Sequence, residues 1–152
     1  MQETYHGAWG GNTQLLEQHL ASHEIEIMVA ETVSREIVGF VAWIDSYDLH
    51  WCVKGGHVID FFVDPSHRGL GAAVLLIAKL AADIEEHGGL YLKGGAVDNP
   101  IVRQLYRRIA MCLPDGDSYI SGRAFRHVSG LSGKSLREII KSMPEAAWNY
   151  EP

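Results

Sequence analysis

Between His57 and Glu86 the apolar residues change their period. "HVIDFFVD", His57 to Asp64, has the β-branched and aromatic character of a strand, and Pro65 stops it. From Gly71 onward the apolar residues fall at Ala73, Val74, Ile77, Leu80, Ala81 and Ile84, which is helical spacing, and Gly88 and Gly89 end the helix. A strand therefore runs into a helix N-terminus through "RGLGAA", Arg68 to Ala73, where four of the six residues are Gly or Ala. Such a corner offers unpaired N–H groups and a partial positive charge, with no side chain in the way of a ligand. Phosphate oxygens bind at corners of this kind.

The flanking elements set the fold class. Asn12 caps a first helix with Leu15, Leu16, His19 and Leu20 on one stripe, ending near Ser22. Ile25 to Val29 alternate as a strand. "EIVGFVAWID", Glu36 to Asp45, reads as a central strand buried on both faces. Lys54, Gly55 and Gly56 read as a turn that returns the chain as an antiparallel neighbour. After the second helix, "LYLKGGAV" is a strand whose Gly94 and Gly95 suggest a bulge or a close backbone approach. Asn99 and Pro100 then open a helix over "PIVRQLYRRIAM". Leu113 to Asp117 is loop, "SYISGRAFRHV" a strand or hairpin arm, and "SLREIIKSM" a last helix. The order is that of an α/β protein with a mixed sheet, and residues 1–152 are expected to form one domain.

Charge and composition exclude several functions. A net charge of −6 with histidine neutral argues against a nucleic-acid-wrapping surface and favours a cationic partner. The longest apolar run, Ala72 to Ala78, is too short to span a bilayer, and "MQETYHGAWGGN" lacks the pattern of a signal peptide, so a cytoplasmic protein without a membrane partner is expected. In that compartment Cys52 and Cys112 read as free thiols. The histidines show no tight metal spacing; His19 and His23 share a helix face with no third ligand nearby, so no metal is assigned.

Three phosphate-binding patterns compete for the corner. A dinucleotide fingerprint needs a third Gly at Val74 and a preceding βαβ unit, whereas an antiparallel hairpin comes first here. A P-loop in "GLSGKS", Gly130 to Ser135, would need its first Gly at Val128. The third pattern fits: strand, "VDP", then Arg68, Gly69, Leu70, Gly71, Ala72 and Ala73, then an apolar helix, resembles the coenzyme A pyrophosphate loop of the GCN5-related N-acetyltransferase (GNAT) superfamily. Within it, "IDFFVDPSHRGLG" is similar to the matching stretch of spermidine/spermine N-acetyltransferases, which carry Leu-Glu-Asp-Phe-Phe-Val ahead of an Arg- and Gly-rich loop. Asn99 and Tyr106 also have the spacing of the Asn and Tyr that family members place at the start of the helix after the fifth strand and two turns later.

The resemblance implies a mixed, mostly antiparallel sheet flanked by helices, with acetyl-CoA as co-substrate and no metal. It implies that backbone groups of Phe61, Phe62 and Val63 hold the pantetheine arm and thioester, that Arg68 to Ala73 hold the pyrophosphate, that Asn99 contributes to the same site, and that Tyr106 protonates the departing sulfur. Arg103, Arg107 and Arg108 either reach the phosphates or solvate their helix.

The chemistry calls for a base, because an aliphatic amine near pKa 10.4 is free at pH 7 in about one molecule in 2,500, a handicap of about 4.6 kcal/mol. The Glu of the spermidine/spermine pattern falls on Ile59. Asp60 is next but, in a regular strand, points to the opposite face; His57 shares the face of Ile59 and offers an imidazole as the base. Both stay open as the base, directly or through a water.

The acceptor expected is a small cationic amine, polyamine-like or aminoglycoside-like. "WIDSYDLHWCVKGG" supplies Trp43, Asp45, Tyr47, Asp48, His50 and Trp51, and aromatic faces with carboxylates suit a cation. The family usually has a strand and two helices ahead of its second strand, whereas only about two dozen residues precede Ile25. This shortened N-terminal region leaves an acceptor site that is either unusually open or completed by a second subunit in a homodimer. An open cleft suits a protein Lys or N-terminal amine equally, and a non-catalytic acyl-CoA-binding module is the other alternative.

Overall fold

The structure is a computed structural model that describes residues 10–95, 110–112 and 117–142. Its elements run α1 (Thr13–Ala21), β1 (Glu26–Glu31), β2 (Ile37–Asp48), β3 (Val53–Val63), a 3-10 turn (Pro65–His67), α2 (Ala72–Glu86), β4 (Tyr91–Gly95), β5 (Met111–Cys112), β6 (Asp117–Ser121), α3 (Gly122–Ser129) and α4 (Leu136–Ser142). The six strands form one sheet in the order β1-β2-β3-β4-β6-β5. Among the described residues only β3 and β4 pair in parallel; every other pair is antiparallel. The expected mixed α/β sheet is therefore present. A parallel pair needs a crossover, and α2 supplies it.

Helices α2 and α3 cover one face of the sheet. Leu76, Leu80, Ala81 and Ile84 of α2 and Ala124, Phe125 and Val128 of α3 meet Val41, Trp43, Val63, Leu92 and Ile120 of the strands in one core. Leu80 and Phe125 are wholly buried, each contributing about 1.5–3 kcal/mol of transfer free energy. The short helix α4 packs on the outer side of α2, where Ile139 joins Ala78 and Leu131 beside Val74. Ser135 and Glu138 form its capping box, the Ser135 amide donating to Glu138 Oε2 at 2.9 Å. As expected, Asn12 caps α1, accepting from the Leu15 amide at 3.1 Å, but α1 buries no residue and Leu15 is half exposed.

Two segments depart from their sequence reading. The turn between β2 and β3 falls at 49–52, where Asp48 Oδ1 accepts from the amides of His50 (2.8 Å) and Trp51 (3.2 Å), and Lys54, Gly55 and Gly56 lie inside β3. Their glycines answer a packing demand. A Cβ at Gly55 would stand 2.5 Å from the Tyr91 ring, and one at Gly56 would stand 3.0 Å from Ile84 and Leu92. The second departure is "SYISGRAFRHV", whose first half is β6 and whose second half is α3. Gly122 at φ +53° lets the chain turn from extended Ser121 into the helix.

Candidate active site

Strands β3 and β4 stay together for only three residues. Gly56, His57 and Val58 face Leu92, Lys93 and Gly94, and beyond them β3 continues to Val63 with β2 as its one strand neighbour among the described residues. The sheet therefore opens into a cleft along the second half of β3. Which backbone groups line it follows from the ladder. The Asp64 amide donates to the Val38 carbonyl at 2.9 Å, and bonding pairs in an antiparallel ladder recur every second residue, so Phe62 and Asp60 turn their backbone groups toward β2. Phe61 and Val63 turn theirs to the cleft. Of the three residues expected to hold the pantetheine arm through the backbone, Phe61 and Val63 thus face the cleft and Phe62 faces β2.

Two of these cleft groups are engaged by side chains of this chain. Asp60 Oδ1 accepts the Phe61 amide at 2.8 Å, and Arg68 Nε donates to the Val63 carbonyl at 2.9 Å with its guanidinium 6.0 Å from the centre of the Phe62 ring. Arg68 thereby pins the end of β3 to the loop that follows.

A bulge re-aims the residues above. Ala42 pairs with Asp60 and Trp43 with Val58, so Ile59 is an extra residue in β3. Paired residues of an antiparallel ladder share a face; Ala42 and Ile44 are on one face, and so are their partners Asp60 and His57. Val58 and Phe61, also three apart, both reach the core on the other face. Regular alternation would have separated His57 from Asp60. The extra residue brings the two candidate bases together, on the face away from α2.

At the foot of β3, Asp64 starts the 3-10 turn. Hydrogen bonds from Ser66 hold its carboxyl below the usual carboxylate range. The loop then reaches α2 through Gly69 and Gly71 at φ +79° and +94°. Gly71 is the N-cap of α2 and brings no side chain to cap it, so the first amides of a 15-residue helix are left to another acceptor. A Cβ at Gly69 would meet nothing within 4 Å, which leaves room at the loop; one at Gly71 would stand 2.5 Å from Leu136 of α4. A helix N-terminus without a side-chain cap, beside open space at Gly69, suits an anionic group. An apolar groove of about 520 Å³ between β1 and α2 lies near the same loop, lined by Met28, Ala30, Val38, Leu70, Leu75 and Leu76 among others.

The remaining expected residues divide. Tyr106 and Asn99 lie outside the described residues, as do Arg103, Arg107 and Arg108. The aromatic and acidic segment is not at the cleft: Trp43 is a core residue, and Asp48 pairs with Val53, at the end of β3 far from Phe61. Asp48 is also engaged, accepting from the Tyr119 hydroxyl at 2.6 Å. His19 and His23 each face their own carboxylate, Glu24 at 3.0 Å and Glu26 at 2.6 Å. Cys52 is free and exposed. No described helix is long and apolar enough to cross a membrane.

Comparison with known proteins agrees with this fold. The acetyltransferase (GNAT) family profile matches residues 2–111. A ribosomal-protein-alanine N-acetyltransferase from Brucella melitensis biovar Abortus 2308 is 30% identical, with TM-score 0.58 over 74% of this chain and 81% of that one. A putative acetyl transferase from Pyrococcus furiosus is 28% identical, with TM-score 0.50 over 60% of this chain; the match spans 62% of that protein's length. An aminoglycoside acetyltransferase from an uncultured soil metagenomic sample shares the fold at 16% identity, with TM-score 0.59 over 70% of this chain and 71% of that one. Nothing among the curated proteins matches. The chain belongs to the acetyltransferase (GNAT) family, a family of acyltransferase enzymes that use acetyl-CoA.

Proposed function

We propose that this enzyme acetylates a primary amine that approaches on the sheet face carrying His57 and Asp60. The observation that carries the reading is the bulge at Ile59, which sets both groups on one face beside the cleft-facing amide of Phe61. In this reading Gly69 to Ala73 hold the pyrophosphate and the Val63 backbone holds the pantetheine arm. The Phe61 amide faces the thioester oxygen, where negative charge develops. His57 or Asp60 takes a proton from the ammonium nitrogen. The nitrogen lone pair then forms the C–N bond as the C–S bond breaks, the sulfur receives a proton from Tyr106, and the second amine proton leaves the new amide nitrogen and restores the Tyr106 hydroxyl.

Two acceptor classes have support. "DFFV" ahead of the loop resembles spermidine/spermine enzymes, and the net charge of −6 suits a small polycation. A peptide amine is supported by the 30% identical structure described as a ribosomal-protein-alanine N-acetyltransferase. The test is thiol release from acetyl-CoA across polyamines, aminoglycosides, amino acids, Lys-containing peptides and peptides with an N-terminal alanine. Release with polyamines or aminoglycosides establishes the first class and release with peptides the second. Silence across the panel, with acetyl-CoA still bound, would leave an acyl-CoA-binding module in place of a transferase.

A further inference from the structure

The Phe61 amide has one hydrogen and two claimants. In the reading above it faces the thioester oxygen, yet Asp60 Oδ1 already accepts it at 2.8 Å. A bond from an amide to a carboxylate is stronger than one to a neutral carbonyl, so the acyl group must compete with a good acceptor. The two uses of Asp60 also compete. While Oδ1 caps the amide, the carboxylate is tied to its own backbone and spends part of its charge on that bond; once displaced, both oxygens are free on the face it shares with His57.

We infer that Asp60 is a latch, holding the Phe61 amide until an acyl oxygen replaces it and then standing free to take the proton of the incoming amine. The inference rests on the proposed reading of the cleft and adds an order to it. The acyl donor binds first and its binding switches on the base, so an amine arriving at the empty enzyme meets a carboxylate turned to its own backbone. The bulge makes this arrangement available. Ile59 takes the extra position, and Asp60 is left beside an amide with no partner in β2.

The test compares acetyl-CoA with coenzyme A, which lacks the acyl oxygen and has no claim on the amide. Dissociation constants for both are measured by calorimetry on the wild type, Asp60→Ala and Asp60→Asn. The latch predicts that Asp60→Ala tightens acetyl-CoA about fivefold while coenzyme A changes less than about twofold, the loss of one competing hydrogen bond. Asp60→Asn keeps a weaker, neutral acceptor of the same shape and should shift the ratio the same way, about twofold. It carries the test if the alanine variant does not fold. In ¹⁵N spectra of the wild type, the Phe61 amide should move on adding acetyl-CoA and stay in place with coenzyme A. Equal effects on both ligands, with both bound by the wild type, overturn the latch alone. A wild type that binds neither overturns the latch together with the reading of the cleft.

Discussion

The Tyr119 hydroxyl donates to Asp48 Oδ2 at 2.6 Å and so ties β6 to the β2–β3 turn across the sheet, while the Tyr119 ring stacks on Tyr91 with centroids 4.8 Å apart. Asp48 is the hub of that corner, since its other oxygen accepts the two amides of the turn. Tyr119→Phe keeps the stack and removes one bond to a carboxylate, so it should cost about 1–3 kcal/mol in urea unfolding. Asp48→Ala should cost more, because it releases the turn amides as well. If both variants unfold at the wild-type midpoint, the corner is not a source of stability.

Gly55 lies beneath the Tyr91 ring, with Ser46 and the Tyr91 hydroxyl 2.7 Å apart. Gly55→Val should lower stability by about 3 kcal/mol, the upper range for overpacking, because it would strike both the ring and the carbonyl oxygen of Tyr91, a residue that is 1% exposed. Tyr91→Leu in the same background should recover part of the loss by making room. No recovery would mean that the backbone, not the ring, sets the limit.

Burial, followed by the nearby Lys134 charge, pushes the His127 imidazole below its ordinary value of 6.5. The unfolded chain therefore binds this proton more readily than the folded one. The stability His127 contributes is complete above pH 6.5 and is lost as pH falls from there through the lower folded value. His87 has the opposite sign: a hydrogen bond to the Asp83 carbonyl raises it, so its contribution is complete below pH 6.5 and lost as pH rises through the folded value. Urea midpoints from pH 5 to 8 should show less acid loss in His127→Gln than in wild type, and less loss at higher pH in His87→Gln. A His127→Gln profile parallel to that of wild type would contradict the assignment.

The shared face of His57 and Asp60 allows the base to be identified by kinetics. In kcat/KM profiles with an active acceptor, the acidic limb should vanish in whichever of His57→Gln and Asp60→Asn removes the proton acceptor, and persist in the other. Survival of the limb in both variants would place the base elsewhere. Tyr106→Phe should lower kcat tenfold or more with acetyl-CoA affinity little changed. An unchanged kcat would remove Tyr106 from the chemistry.

Much of the fold is legible from local rules. The helix after Gly71 has the bounds its apolar spacing gives, and Asn12 caps where a short polar side chain should. The errors share one cause: a glycine read locally when its reason is distant. Gly55 and Gly56 look like a turn, but they are small because Tyr91, Ile84 and Leu92 press on them from other elements. Gly122 hides a strand-to-helix switch because its positive φ leaves no mark on the apolar pattern around it. At the site, the phosphate corner is legible because glycines and a helix start sit together in sequence. The pairing of His57 with Asp60 is not, because period-two counting has no way to register an unpaired residue.

That unpaired residue works as a change of phase. Upstream of Ile59 the strand shows one parity of its residues to the core, and downstream it shows the other. Deleting Ile59 would restore regular alternation, so that one end of the strand must turn inside out, sending either Val58 with Gly56 or Phe61 with Val63 away from the helices. Replacing Ile59 with another side chain leaves the count untouched. The position should therefore tolerate wide variation in what stands there and none in whether anything does, a contrast that a scan of substitutions beside a single-codon deletion would expose.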